Sequence, residues 1–230
     1  MRNFDYNVST QCPLGTDPQI IKRVRPFSNV LEIGCSTGYI GKYLGEELTC
    51  TIAGVEINEA EAEEARPYYD LIVKGDIQDK SVLDQIEFKY KALMPYDHIL
   101  LMSVIEFWAE PLPTLQRLSK LLKPGGTMLI SLPNIAHWSM RYNVLFGNFN
   151  YQYRGILERG HLRFYTAKTS RDLIESAGLR ITHSSIDPDN GIPKFNGLML
   201  RFGSSGVKFL SFLYNLAPKF FGYQFIYEAK

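Results

Sequence analysis

Short apolar runs recur from Val30 to Leu132, separated by polar stretches with helical spacing. Val30–Ile33 is apolar apart from Glu32 and stops at Gly34, and Thr51–Ile57 carries β-branched residues around a glycine. Runs this short, bounded by turn residues, read as buried strands. Leu71–Asp76, Asp97–Met102 and Thr127–Leu132 repeat the form. Between the first two runs, Gly38–Glu47 has the spaced apolar positions of a helix, and Asn58 is placed to cap the polar segment Glu59–Arg66. A further helix is expected over Pro111–Leu122. Strands alternating with helices predict a parallel sheet with helices on both faces.

Beyond Leu132 the rhythm breaks. Residues 134–168 are aromatic and basic with weak periodicity, and read as an insertion over the carboxyl edge of the sheet, where open α/β sheets bind ligands. Ser170–Leu179 has helical character with Gly178 as its stop, while Arg180–Ile186 and Gly222–Ala229 alternate like strands. Phe209, Leu210, Phe212, Leu213 and Leu216 cluster as they would on a helix lying in a membrane interface. Packing against the sheet before a final strand is the expectation preferred for them. One domain over residues 1–230 is expected, with a lid at about 135–168.

Composition then narrows the class. With 45% hydrophobic and 21% charged residues the chain can bury a sizeable core. A balance of 25 Lys+Arg against 24 Asp+Glu leaves a net charge of +1, which argues against the global basic field of a dedicated nucleic-acid binder. Cys12, Cys35 and Cys50 form no C-x-x-C pair, so neither a disulfide framework nor a zinc cluster is suggested; no metal and a cytoplasmic setting are expected. No apolar stretch reaches the ~20 residues of a membrane span. Monomer and homodimer both stay open.

The strand-to-helix turn Val30–Gly41 reads VLEIGCSTGYIG, with glycines that let the backbone take positive φ and approach a ligand. A dinucleotide fingerprint fails, because Ser36 and Tyr39 stand where its second and third glycines belong. A phosphate-binding P-loop fails as well, with Tyr43 after Gly41-Lys42 and Ser36 at its first glycine. The segment resembles motif I of the class I S-adenosylmethionine-dependent methyltransferases, which places an acid two residues before a G-x-G-x-G-like loop. Here that reads Glu32, Gly34, Ser36 and Gly38, with Ser36 at the middle glycine. Glu56 ends the second run 22 residues after Gly34, and Asp76 follows Gly75 at the end of the third. Tyr96–Pro111 resembles the family's fourth-strand motif, and Leu121–Asn134 its helix end, Pro-Gly-Gly turn and fifth strand.

The resemblance implies a seven-stranded, mostly parallel Rossmann-like sheet of order 3-2-1-4-5-7-6 with the last strand antiparallel. It implies methyl transfer from S-adenosyl-L-methionine to a small-molecule acceptor, yielding S-adenosyl-L-homocysteine. Gly34, Cys35, Ser36 and Gly38 would wrap the methionine part, with Glu32 orienting the loop or meeting the amino group. Glu56 would accept the ribose hydroxyls beside Ile57, Asp76 and Ile77 would flank the adenine, and Ser103 would face the cofactor through its carbonyl. Glu59, Glu61, Glu63 and Glu64 read instead as a solvated face.

Pro133–Thr166 is similar to a segment of the methionine-biosynthesis-protein-W-like methyltransferases, with Pro133-Asn134 and His161–Thr166 particularly close. That group carries Glu-His in the fourth-strand motif where this chain has Glu106-Phe107, so no role transfers for the histidine. His161 is the first candidate for a base or acceptor ligand and Glu106 the second. His137, Arg141, Arg163 and Tyr165 are candidates for holding the acceptor. A loop histidine bonded to backbone, and an Arg163 anchored to Glu106 or Asp172, are equally open. From Ile135 to Arg171 six cations (Arg141, Arg154, Arg159, Arg163, Lys168, Arg171) face one acid, Glu158. Interleaved aromatics make an acidic or sugar-like acceptor the favoured class, with methylation at oxygen ahead of nitrogen. The competing class is a cofactor-binding regulatory partner of a metabolic enzyme that performs no methyl transfer itself.

Overall fold

The computed structural model describes residues 14–89, 95–188 and 201–230; Cys12 lies outside them. Its strands are β1 (Asn29–Ile33), β2 (Thr51–Glu56), β3 (Leu71–Lys74), β4 (Tyr96–Met102), β5 (Leu122–Pro133), β6 (Ile181–Asp187) and β7 (Gln224–Ala229). The helices are α1 (Thr16–Ile21), α2 (Tyr39–Leu48), α3 (Glu59–Ala65), α4 (Lys80–Asp84), α5 (Pro111–Ser119), α6 (Trp138–Leu145), α7 (Ala167–Ser176), α8 (Gly203–Leu216) and α9 (Pro218–Phe221). The strands form a seven-stranded sheet of order β3-β2-β1-β4-β5-β7-β6, as the resemblance implied. β7 runs antiparallel to β5 and β6, and the other pairings are parallel.

The apolar runs are strands because both sheet faces are covered. Leu31, Ile33, Ile99, Leu101, Met128 and Ile130 point into one core with residues of α4, α5, α7 and α8. Their neighbours Val30, Leu100, Leu129 and Ile226 point into the other, with residues of α1 and α2. This strict alternation is the period of two expected of strands. Glu32 has the parity of the second face and lies beneath α2, a carboxyl group among apolar side chains.

The fifth strand differs from expectation. α5 stops at Ser119 and β5 already begins at Leu122, so the Pro-Gly-Gly segment lies inside the strand span. Tyr96 pairs with Leu122 but His98 pairs with Thr127, and the extra residues form an irregularity there. A Cβ on Gly126 would fall 2.9–3.1 Å from the carbonyl oxygens of Lys123, Tyr96 and Asp97, so glycine is what lets the strand pass.

The C-terminal helix departs further. Leu210 and Tyr214 of α8 are buried, but Phe212 is 65% and Leu216 67% exposed, and Phe209 is exposed too. The expectation that this cluster packs holds for one stripe of the helix only. Leu213 lies outside the residues whose side chains are described. No helix among the described residues is long and apolar enough to cross a membrane.

Candidate functional site

Parallel pairing brings the carboxyl ends of β1 to β5 to one edge, so Gly34–Gly38, Glu56–Asn58, Gly75–Ile77, Ser103–Phe107 and Asn134 converge there. The turn after β1 is built on positive φ at Gly34 (75°), Ser36 (48°) and Gly38 (85°). Gly38 is required sterically as well, since a Cβ there would lie 2.8 Å from the backbone of Ala65. Ser36 holds a left-handed conformation that a side chain disfavours. Its hydroxyl donates to Glu61 at 2.8 Å, which offsets the strain. Glu61 is therefore not part of a solvated face. It is half-buried, bonded to Ser36 and to the Asn58 amide.

Glu56 ties the turn to the second strand. One carboxylate oxygen accepts from the Ser36 N–H and the other from the Asn58 N–H, both at 2.8 Å. A carboxylate has about four acceptor positions, so two remain for a ligand. Next to this buried acid, Ile57 is 67% exposed, an apolar side chain standing open at the strand end. Asn58 caps α3 by accepting from Ala60 and Glu61.

Glu32 sits one layer deeper, accepting from the Tyr69 hydroxyl at 2.7 Å. Burial raises its pKa to about 8, against the lowering effect of that bond, so it is mostly neutral at pH 7. It orients the turn from below through Tyr69. Tyr69 was not legible as a site residue. Its ring lies over Gly41 and Gly54, where a Cβ would come within 2.2 and 2.9 Å of ring atoms. Cys35 is buried, and burial pushes its thiol pKa up, so it has no thiolate character.

At the end of β3 Asp76 accepts from the Gln78 N–H at 2.8 Å. The Ile77 side chain is buried in the core, which leaves its backbone to meet a ligand. Ser103 has positive φ (50°), and its hydroxyl accepts from Gln224 at 3.1 Å, a contact no local pattern announces.

The acceptor-side candidates divide. His161 and Glu106 come together, with Nε2 3.9 Å from a Glu106 carboxyl oxygen. The Leu162 and Arg163 N–H groups donate to the Glu106 carbonyl, clamping the segment onto the end of β4. Phe107 stands edge-on to the His161 ring at 4.8 Å. Glu106 is 1% exposed and neither carboxyl oxygen has a hydrogen-bond partner; the buried Tyr165 hydroxyl also lacks one. Burial raises the Glu106 pKa to about 8 and, with Glu106 nearby, that of Tyr165 to about 12, while it lowers that of His161. His161 Nδ1 lies 3.1 Å from the Ile156 carbonyl, so that nitrogen carries the proton and Nε2 the free lone pair.

The Glu106 environment makes stability depend on pH. A carboxyl group with pKa near 4.5 unfolded and about 8 folded holds its proton longer in the fold, so its contribution is full below pH 4.5 and is lost as pH rises toward 8. Glu106→Gln should therefore gain stability relative to the parent between pH 5 and 8, by on the order of 1 kcal/mol or more. Urea unfolding across that range measures it; a difference constant with pH would contradict the assignment.

His137 is buried with Nδ1 2.8 Å from the Ser139 hydroxyl, and burial lowers its pKa to about 4. Arg141 donates to the Ala136 carbonyl at 2.6 Å. Arg163 departs from both readings. It bonds the Ala109 carbonyl at 3.1 Å and Glu110 at 3.4 Å, not Glu106 or Asp172, so its fork is no open anion clamp. Lys168 pairs with Asp172, and Arg171 bonds Ser184, both on α7. The basic balance of the sequence thus overstates the charge at the edge. What the segment does form is a cleft of about 310 Å³ lined by Ser139, Asn143, Asn148, Asn150 and Gln152, with Met140, Ile156, Leu157 and Tyr223 completing it.

A family model described as a methyltransferase domain matches residues 15–184. The ubiquinone biosynthesis O-methyltransferase of Dinoroseobacter shibae is 27% identical over 161 residues, 69% of this chain and 63% of that protein. The tRNA 5-carboxymethoxyuridine methyltransferase of Escherichia coli is 34% identical over 91 residues, 36% of this chain and 34% of that protein. The chain thus spans less than two thirds of the length of these relatives. An S-adenosylmethionine-dependent methyltransferase structure from Mesorhizobium loti superposes with a TM-score of 0.59 at 10% identity, covering 92% of this chain and 95% of that one.

Proposed function

The chain belongs to the class I S-adenosylmethionine-dependent methyltransferases, and on that premise we propose that it methylates a hydroxyl oxygen of a small, sugar-like acceptor. The observation that carries the cofactor half is Glu56, buried and bonded to two loop amides, with acceptor positions left over and Ile57 exposed beside it. S-Adenosylmethionine supplies a methyl carbon activated by its sulfonium. The protein's work is to orient the reactants and exclude water. Glu56 holds the ribose hydroxyls, Ile57 lies against the base, and Asp76 with the Ile77 backbone bounds its far side. Gly34, Cys35, Ser36 and Gly38 approach the methionine portion through backbone groups, and the Ser103 carbonyl faces it.

The cleft between Ser139 and Gln152 favours a sugar-like over an acidic acceptor. Side-chain amides and a hydroxyl line it, groups that donate to and accept from neutral hydroxyls, and three of the six cations that suggested an acid, Arg163, Lys168 and Arg171, are bonded elsewhere. Residues 135–168 act as the lid that keeps water out. A hydroxyl acceptor must release a proton, and the free lone pair on His161 Nε2 is the base that takes it. The D. shibae relative is named as an O-methyltransferase, in keeping with transfer to oxygen. The E. coli relative is named for tRNA, so a net charge of +1 does not by itself exclude RNA. The small cleft is what favours a metabolite.

Labelled-methyl transfer over sugar derivatives, acidic metabolites and tRNA tests this reading. Label in a neutral sugar derivative, with equimolar S-adenosylhomocysteine, is expected. Label confined to amines or tRNA would overturn the acceptor class, and cofactor binding with no transfer to any acceptor would favour a regulatory role.

A further inference from the structure

We propose that the carboxyl edge carries a docking surface for an anionic lipid bilayer, formed by α8, α9 and α6. α8 is apolar on two sides. Leu210 and Tyr214 are buried, while Phe212 and Leu216, each two residues further on and so ~200° round the helix axis, point away from the core and are exposed. On the last turn of α6 and its C-cap, Tyr142, Leu145 and Phe146 are exposed together. α9 joins the two: Phe220 is exposed, and the Arg141 guanidinium lies 6.0 Å from its ring. Contiguous exposed apolar surface of this kind marks an interaction site.

Charge identifies the occupant. No Asp or Glu occurs from Ile135 to Leu157, or from Asn190 to Tyr227, whereas Arg141, Arg201, Lys208 and Lys219 lie within these stretches. Exposed aromatic and aliphatic side chains among cations, with no acid, suit the interface of a bilayer containing anionic lipid. A second copy of the chain fits poorly. A two-fold contact would set Lys208 and Lys219 of this surface against the same cations with no carboxylate to meet them. Topology places the surface where it matters. Residues 134–166 leave the sheet after β5, and the described residues 201–223 lead into β7, whose first residue Gln224 pairs with Pro133 and Asp187. Both segments therefore join the sheet at the edge that holds Glu56 and Ser103.

The test is co-sedimentation of the full chain, without cofactor, with vesicles of phosphatidylcholine alone or mixed with phosphatidylglycerol. Binding to the mixed vesicles at least about tenfold stronger, and weakened by salt, is expected. Phe212→Ser with Leu216→Ser, and independently Leu145→Ser with Phe146→Ser, should each weaken binding about tenfold. Lys208→Glu with Lys219→Glu should remove the preference for anionic lipid. Phe212, Leu216, Lys208 and Lys219 are exposed and lie outside the lid, so in those variants the melting temperature and S-adenosylhomocysteine binding should match the parent, which separates failure here from failure of the cofactor assignment. No binding to either vesicle, binding unchanged in the variants, or a solution dimer that the serine variants dissociate would overturn the proposal.

Discussion

Replacing Glu56 with alanine is expected to weaken S-adenosylhomocysteine binding by at least about a hundredfold, because two charge-assisted hydrogen bonds at about 1.5–3 kcal/mol each are removed together. The carboxylate also holds the Ser36 and Asn58 amides, so the variant loosens the turn as well as losing the ligand contact. Ile57→Ser separates the two effects. It leaves both amide bonds in place and removes only an exposed apolar contact, and should lower affinity by about tenfold with no change in unfolding midpoint. If Glu56→Ala binds as tightly as the parent, the ribose assignment is wrong.

The second large effect concerns stability. Tyr69→Ala should cost about 3–5 kcal/mol, the usual penalty for emptying a large buried aromatic site, and it strands the Glu32 carboxyl as well. Gly41→Ala should also destabilise, by about 1–3 kcal/mol or more, because its Cβ would lie 2.2 Å from the tyrosine ring. In the Tyr69→Ala background the same glycine change should be neutral or stabilising, since the clash is gone and alanine is favoured over glycine in a helix by about 1 kcal/mol. A double-mutant cycle by urea unfolding measures the coupling. Additive effects would mean that the ring and the glycine do not share the space the structure gives them.

Tyr69 also shows where reading the sequence stops. The strands and the helices between them were legible because a sheet buried on both faces needs continuous apolar runs, and Asn58 announced its helix by chemistry. The turn glycines and Glu56 were legible because their spacing matches a known motif. Tyr69 is not, since its partners Gly41, Gly54 and Glu32 come from three different elements and meet only after folding. Ser103 with Gln224, and Ser36 with Glu61, are contacts of the same long-range sort.

Charge was the other weak guide. Counting cations between Ile135 and Arg171 suggested an open basic patch, but a count does not know that Arg163 turns to the Ala109 carbonyl or that Lys168 meets Asp172. The apolar C-terminal run misled in the opposite direction. One stripe of α8 completes the core and the other does not. Hydrophobicity alone cannot assign the two stripes, because the angle between them is resolved only when the helix is docked.

We propose that the edge holding Gly34, Glu56 and Ile57 binds the adenosyl cofactor. Calorimetric titration of the intact chain with S-adenosylhomocysteine tests it most directly. One saturable site is expected, weakened at least about a hundredfold by Glu56→Ala. A chain that unfolds cooperatively yet gives no binding heat and no thermal stabilisation with S-adenosylhomocysteine would contradict it.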